Sequence, residues 1–504
     1  MAYDDLRYDD VRQKSIHNTF QRTEGIYDQI VYWRVRSLEA DIHTSHIFDD
    51  PETGGDFDEW FVYHNTFDMG SSVHTLHDFL RVCVGAHRAL PDHEAITLFL
   101  DIKDGFPSRI TSAHSRARFD ALLDHHLGEH LYTPADLMKR DPDAGSLREV
   151  VQGVGWPTLG ELRGKFIVIL TGSEHQLSNY VSSREEPTDR LAFLSGYAES
   201  KRDIGRDDGL VVYNMSREYV HLAAEVGRQG FLSRAYYIDD RDAWEEAEAA
   251  RCHHIATDMV NSRVDPWSST TGPSGFPFRA LDGPTPREVE PGVVGAIWAR
   301  SGDIWEREDS CYFQHRACGP RDVDESYVFA VSGPNSHTED WTKGGIMARQ
   351  STDPDSPYFG VFRPGEGDGL RVQFRAESRR STTVLERRIG RTWLFGSCFA
   401  QDSLVYLRLD VSRGGRRCVG SGSIDGVEWV RLGSFDFEQP LMLHGLAVSS
   451  HGQRRGAKYL FVVPGGEPPP PFDRERAIGP RGDRAEGWAD WTGTRRWRVD
   501  RFSR

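Results

Sequence analysis

Cysteine and lysine are both scarce in this sequence. Its 504 residues hold 6 Cys and no CxxC pair, which excludes a disulfide scaffold. Cys311 and Cys318 lie close together, and Cys398 and Cys418 less so. Free buried thiols in a reducing compartment are the expectation, with both pairings left open. Of 61 basic residues only 7 are Lys, so 54 are Arg, a bias that fits a GC-rich genome rather than a function. Acidic residues number 77, giving a net charge of −16, and no phosphate-neutralising patch is evident. Nucleic acid is therefore not an expected partner. No apolar run approaches the ~20 residues of a membrane span. The start, MAYDDLRYDDVRQKS, lacks the basic and apolar stretches of a secretory signal. That predicts a cytoplasmic location, with another export route or a trimmed start as the alternatives.

A chain this long predicts two or three domains. Sixteen of the 20 His fall at or before His254. Residues 265–292 are rich in Pro, Gly, Ser and Thr without apolar periodicity and read as a linker. Residues 464–504 are rich in Pro, Gly and Arg and read as an extended tail, whose Trp-bearing end either docks or stays loose. Within 1–264, candidate strands (13–17, 37–43, 60–64, 95–103, 165–172, 209–215, 231–238 and 253–260) alternate with candidate helices (73–90, 115–131 and 242–252). About eight strands in this rhythm predict a (β/α)8-type barrel, with a doubly wound sheet as competitor. Residues 293–463 show short alternating runs punctuated every ten or so residues, the pattern of an antiparallel β-sandwich.

In parallel α/β folds, reactive groups gather where strands end. Four such ends carry capable residues. QKSIHNTF presents His17, suited to proton transfer, and Asn18, a neutral oxygen donor for a hard cation. SLEADIH presents Glu39 and Asp41 two apart, hence on one face of a strand. Two carboxylates facing one way call for a cation between them, unless Arg34 and Arg36 are their counter-ions. FVYHNTF presents His64. LFLDIKD presents Asp101 and Lys103, again on one face, either as a plain ion pair or as the completion of a metal and phosphate site.

Taken in order, QKSIHNTFQR, LEADIH, VYH and FLDIKD resemble the catalytic barrel of phosphatidylinositol-specific phospholipases C, particularly the bacterial Ca²⁺-dependent branch. FLSRAYYIDD and HHIATDMV resemble its closing strands, so the likeness spans about 10–262. Glycerophosphodiester phosphodiesterases share the two-His, ExD logic. They usually carry His-Arg-Gly where this chain has His17-Asn18-Thr19. The resemblance implies that His17 acts at the attacking hydroxyl and His64 protonates the leaving alkoxide. It implies that Asn18, Glu39, Asp41 and Asp101 hold Ca²⁺, with Mg²⁺ as the alternative. It implies that Lys103 and Arg234 meet the phosphate or substrate ring, and that Asp258 orients a His or binds a hydroxyl. No lipid-inserting rim and no inositol-binding motif is legible.

The second region, with the turn Ser423–Trp429, resembles laminin-G or concanavalin-like jelly-roll modules. That resemblance implies glycan docking. The competing reading is a rigid partner packed on the barrel, with Trp305, Trp341, Trp393 and Trp429 in a core. The expected activity is metal-dependent phosphodiester cleavage on a phospholipid head-group or a soluble, sugar-like diester. Its competitors are a glycan-binding protein and a glycoside-cleaving enzyme using Glu39, Asp41 and Asp101.

Overall fold

The structure is a computed structural model. It describes residues 2–44, 60–68, 70–107, 113–181, 187–262, 264–269, 277–286, 294–319, 323–333, 341–365, 370–386, 404–451, 456–466, 472–479 and 487–491. The first half is a closed barrel. Eight parallel strands follow one another: β1 Val11–Ile16, β2 Ser37–His43, then after a short β3 (Phe61–Val62) β4 Ile96–Ile102, β5 Phe166–Thr171, β6 Phe193–Tyr197, β7 Val212–Ser216, β8 Leu232–Tyr236 and β9 His254–Thr257. The parallel pairings of β1 with β9 and with β2 close the ring. β4 and β5 are nearly continuous apolar runs because a barrel strand is buried on both faces.

Two staves differ from expectation. The run at 60–64 is not a barrel strand: β3 pairs antiparallel to the outer end of β2. The missing stave is β6, whose residues FLSGY carry too little apolar signal to read as a buried strand. The stretch read as a linker also contributes structure. β10, Phe278–Ala280, pairs antiparallel with β1 and buries Phe278 and Ala280 in the barrel's core.

Helices cover the barrel. α1 is Ile26–Val31, six residues long and entirely buried. α2, Leu76–Ala89, starts where the Thr75 hydroxyl accepts the Asp78 amide, and its buried face carries Leu76, Phe79, Leu80, Cys83 and Ala86. α3 is Arg116–Leu127, capped by Ser115.

The second half is a sandwich of two seven-stranded antiparallel sheets. One runs Val430–Asp436, Arg417–Ser423, Tyr406–Ser412, Glu325–Ser332, Ala457–Val462, Val294–Ala299, Gly487–Trp491. The other runs Thr383–Glu386, Arg371–Arg375, Tyr358–Pro364, Lys343–Arg349, Leu443–Ser449, Cys311–Ala317, Arg474–Ile478. Part of the predicted tail therefore forms the edge strand of each sheet. Trp491 is buried there and donates its indole N–H to Gln314 at 3.1 Å.

The sandwich packs on the barrel through one shared core. Ala330, Val405, Tyr406 and Val462 cluster with Ile26, Leu76 and Phe79. The Tyr406 hydroxyl donates to the Gly85 carbonyl at 2.6 Å. A Cβ on Gly85 would lie 2.5 Å from the Ile424 carbonyl oxygen, so only glycine fits this seam on α2. The Ser423–Trp429 turn sits there too. One Asp425 oxygen accepts the Val427 and Glu428 amides, and the other takes the Arg81 guanidinium of α2 at 3.1–3.2 Å. Trp429 packs on the shared core, but Trp305 and Trp341 are 37% and 44% exposed, pairing at 6.0 Å rather than filling a core. Cys83, Cys252, Cys311, Cys318 and Cys418 are free and buried, so Cys311 and Cys318 are not bridged. Cys398 and Trp393 lie outside the described residues. Among the described residues no helix is long and apolar enough to cross a membrane.

Candidate active site

The predicted residues converge at the mouth of the barrel, where the strands end. His17 follows β1, and its amide donates to the Thr257 carbonyl of β9 at 3.0 Å. Its Nδ1–H donates to Asp258 at 3.0 Å, just past the end of β9. The other oxygen of Asp258 meets Arg22 at 2.9 Å. Burial works against the Asp258 charge, but His17 and Arg22 outweigh it and hold the carboxyl below its ordinary range. With Nδ1 engaged, Nε2 of His17 faces inward and stands 3.9 Å from Glu39.

His64 reaches the same mouth by another route. It follows β3, on the excursion between β2 and α2, and donates Nδ1–H to Asp41 at 2.9 Å. That bond raises the His64 pKa above the ordinary imidazole range, against partial burial. Burial raises the Asp41 pKa, opposed by His64 and Lys103.

Glu39, Asp41 and Asp101 point into one nest, with carboxylate oxygens all within 4.8 Å of one another. The register explains this. Asp41 of β2 and Asp101 of β4 are directly paired, and Glu39 lies two residues back on the same face. Arg34 and Arg36 are not the counter-ions of this nest. Both pair instead with Glu94, at 2.8 and 2.7 Å. The nest is met by Lys103, 2.5 Å from Asp101 and 3.1 Å from Asp41, and by Arg234, 2.8 Å from Glu39. Arg234 is wholly buried on β8 and also donates to Asn214 of β7 at 3.1 Å. Burial opposes the Glu39 charge. Arg234, His17 and the Asn18 amide, which donates to Glu39 at 3.0 Å, together pull its pKa down. Burial likewise opposes the Lys103 charge, and the two aspartates overcome it, raising its pKa. Asn18 makes the turn out of β1 in the left-handed region, φ 48°.

Three hard carboxylate donors this close suit a divalent oxygen-loving cation such as Ca²⁺. Lys103 and Arg234 supply two positive charges against the three carboxylates, so the nest keeps one formal negative charge.

Other residues at the mouth carried no assignment in the sequence. Tyr236 stacks on His17 at 6.4 Å and Tyr237 meets its edge at 5.0 Å. Tyr237 is 54% exposed with φ 64°, a left-handed conformation that is costly for an aromatic residue. Its signal was the YY pair two residues past Arg234, at a strand end. Arg22 also lay within the quoted first motif. It braces the loop, donating from Nε to the Asn18 carbonyl at 3.2 Å. On the opposite rim, Asn65 to Asp68 form a tight turn held by the Asn65 carboxamide oxygen, which leaves Phe67 fully exposed three residues from His64.

Residues 61–242 match the family described as phosphoinositide phospholipase C, Ca²⁺-dependent. Among solved structures, the chain is similar to a calcium-dependent phosphoinositol-specific phospholipase C from Pseudomonas sp. The two share 23% identity over 55% of this chain and 96% of that one, with a TM-score of 0.46. A Ca²⁺-dependent phosphatidylinositol-specific phospholipase C from Streptomyces antibioticus is 17% identical over 52% and 98%, with a TM-score of 0.41. A putative glycerophosphoryl diester phosphodiesterase from Silicibacter pomeroyi is 12% identical over 51% and 93%, with a TM-score of 0.32. No curated protein matches. The family match bears out the resemblance over the span that holds VYH, FLDIKD and FLSRAYYIDD.

Proposed function

We infer that this chain, whose residues 61–242 match the Ca²⁺-dependent phosphoinositide phospholipase C family, cleaves a phosphodiester whose alcohol is an inositol or similar ring. One observation carries the reading. Two His–carboxylate pairs, His17–Asp258 and His64–Asp41, flank a single nest of three carboxylates and two cations.

The nest suits a divalent cation held by Glu39, Asp41 and Asp101, with Asn18 tied to Glu39 through its backbone amide. Such a cation, when bound, supplies a fixed positive charge against the phosphate oxygens. The protein's own groups do the rest. Asp258 fixes the His17 tautomer so that Nε2 is basic and takes the proton of a neighbouring ring hydroxyl. That oxygen bonds to phosphorus, the bond to the departing alcohol breaks, and His64 gives its proton to the alkoxide from Nε2. The product is a cyclic phosphate, which a second turnover step with water opens. Attack from within the same substrate removes roughly 7–11 kcal/mol of entropic barrier. Lys103 and Arg234 stay cationic and offset charge gathering on the non-bridging oxygens. Tyr236 and Tyr237 offer an aromatic wall beside His17 for the ring face.

The exposed Phe67, next to the proton donor, favours a diester held in a lipid surface over one free in solution. The test is incubation with phosphatidylinositol vesicles, followed by phosphorus NMR for the cyclic product. Turnover should disappear with a Ca²⁺ chelator and return with the ion. His17→Ala and His64→Ala should each lower kcat by about 10²–10⁴. Turnover indifferent to both substitutions overturns the reading.

A further inference from the structure

The loop that carries His17 and Asn18 is braced from the far side by the sandwich. Thr19 is its hub: the hydroxyl accepts the Glu39 amide at 3.0 Å, and the carbonyl accepts the Gln29 side-chain amide at 2.9 Å. The same Gln29 nitrogen also donates to the Glu24 carbonyl at 2.8 Å, so one α1 side chain ties both ends of residues 19–24. α1 has six residues, too few to hold a helix without tertiary anchoring. Its anchor is the residue before Gln29. Asp28 is wholly buried, and successive helix positions turn by about 100°, so it faces the sandwich while Gln29 faces the loop. Oδ1 of Asp28 accepts from the Ser332 hydroxyl at 2.7 Å, the Gly333 amide at 3.1 Å and Arg363 at 2.7 Å. Oδ2 takes the second arm of the Arg363 fork. Arg363 also donates to the Val331 carbonyl at 2.5 Å, which fixes it to its own domain.

We propose that Arg363 is a positioning residue for the catalytic loop. Through Asp28 and α1, the sandwich sets the pose of His17, Asn18 and Arg22, and the barrel's site is incomplete without it. A bidentate guanidinium–carboxylate pair suits this task because it fixes direction as well as distance. The inference rests on the activity above for what the loop does, but not for how the loop is held.

Three full-length variants test it: Arg363→Met, the double Asp28→Leu/Arg363→Met, and Arg363→Lys. The single Met variant takes the guanidinium from a buried carboxylate and is the one at risk of not folding. The double variant removes that charge, at the cost of the bonds Asp28 takes from Ser332 and Gly333, so it should fold with a melting temperature below wild type but above that of the single Met variant. Hydrogen exchange over 17–25 in the double variant should nonetheless quicken by about fivefold or more, with β5 unchanged. Its kcat on a water-soluble inositol phosphodiester should fall about tenfold, with KM within about twofold. Arg363→Lys, which keeps the charge and loses the fork, should lie between. A folded double variant with unchanged exchange over 17–25 overturns the proposal. Should the double variant not fold, unchanged exchange over 17–25 in Arg363→Lys overturns it equally. The exchange measurement needs no turnover, so a chain inactive on phosphodiesters would refute the activity while leaving the clamp to be decided.

Discussion

Asp258 holds Nδ1 of His17 at 3.0 Å and is itself held by Arg22 at 2.9 Å. Asp258→Asn would keep the shape but leave one acceptor oxygen for two donors, Arg22 and the His17 Nδ1–H, so the tautomer is no longer fixed. The expected outcome is a kcat lower by about 10²-fold with little change in substrate KM, read in steady-state assays on the soluble diester. A second residue-scale prediction concerns acid. Glu94 is buried, and despite that burial Arg36 and Arg34 bring its pKa down to about 2. Its neighbour His93 is buried neutral, with burial pushing its pKa down to about 3. The signs agree. Below about pH 6.5 the unfolded chain takes up the His93 proton and the fold does not. Below about pH 4.5 the unfolded chain also takes up the Glu94 proton. Stability should therefore begin to fall below about pH 6.5 and fall most steeply between about 4.5 and 3, measured by urea unfolding at stepped pH. Glu94→Gln should flatten the lower part of that curve. His17, Asn18, His64, Lys103 and Asp258 are legible because each lies just past a strand, and Glu39 and Asp41 because spacing of two on a strand puts both carboxylates on one face. Arg22 and Tyr237 were not assigned, because an Arg in a turn and a Tyr in a loop look like ordinary surface until the strands are closed into a ring.

Among the elements, the clearest departures come from strands that borrow their stability. β6 and the edge strands at 474–478 and 487–491 have little apolar periodicity of their own. Each is strand only because a neighbour already offers a ladder of amides and carbonyls. β4 and β5 carry their own signal as nearly continuous apolar runs. β3 misled for the opposite reason. WFVYH is apolar enough for a stave, but it folds back antiparallel and delivers His64 from the side. Its turn also bears Phe67. Phe67→Ala should lower turnover on phosphatidylinositol vesicles by about fivefold to a hundredfold while leaving turnover on the soluble diester within about twofold, since one aromatic side chain at an interface contributes on the order of 1–3 kcal/mol. Equal losses on both substrates would assign the turn to His64 placement instead. On α2, Gly85→Ala would force the new methyl against the Ile424 carbonyl. A loss of about 1–3 kcal/mol is expected in thermal melts.

On the scale of the whole molecule, barrel and sandwich share apolar residues, a tyrosine–carbonyl bond and, among the described residues, the ion pairs of Arg81 with Asp425 and Glu428 and of Arg363 with Asp28. The turn at 423–429 was read as a sign of a lectin-like module, and in the structure it sits against α2. The same residues that suggested an outward-facing surface serve an inward-facing seam, a distinction that only the partner helix makes visible. Residues 1–292 expressed alone should be poorly soluble, bind a hydrophobic dye, and lack a sharp melting transition, because α1 and α2 would turn their contacts with Ala330, Val405 and Tyr406 to water.

The buried Asp28 has a further consequence, for descent. A carboxylate sealed against a second module is costly once its guanidinium is gone, so neither half could readily be exchanged for a cousin lacking the matching charge. Homologous chains that keep one member of the Asp28–Arg363 couple should keep both, or should have replaced both together with neutral side chains.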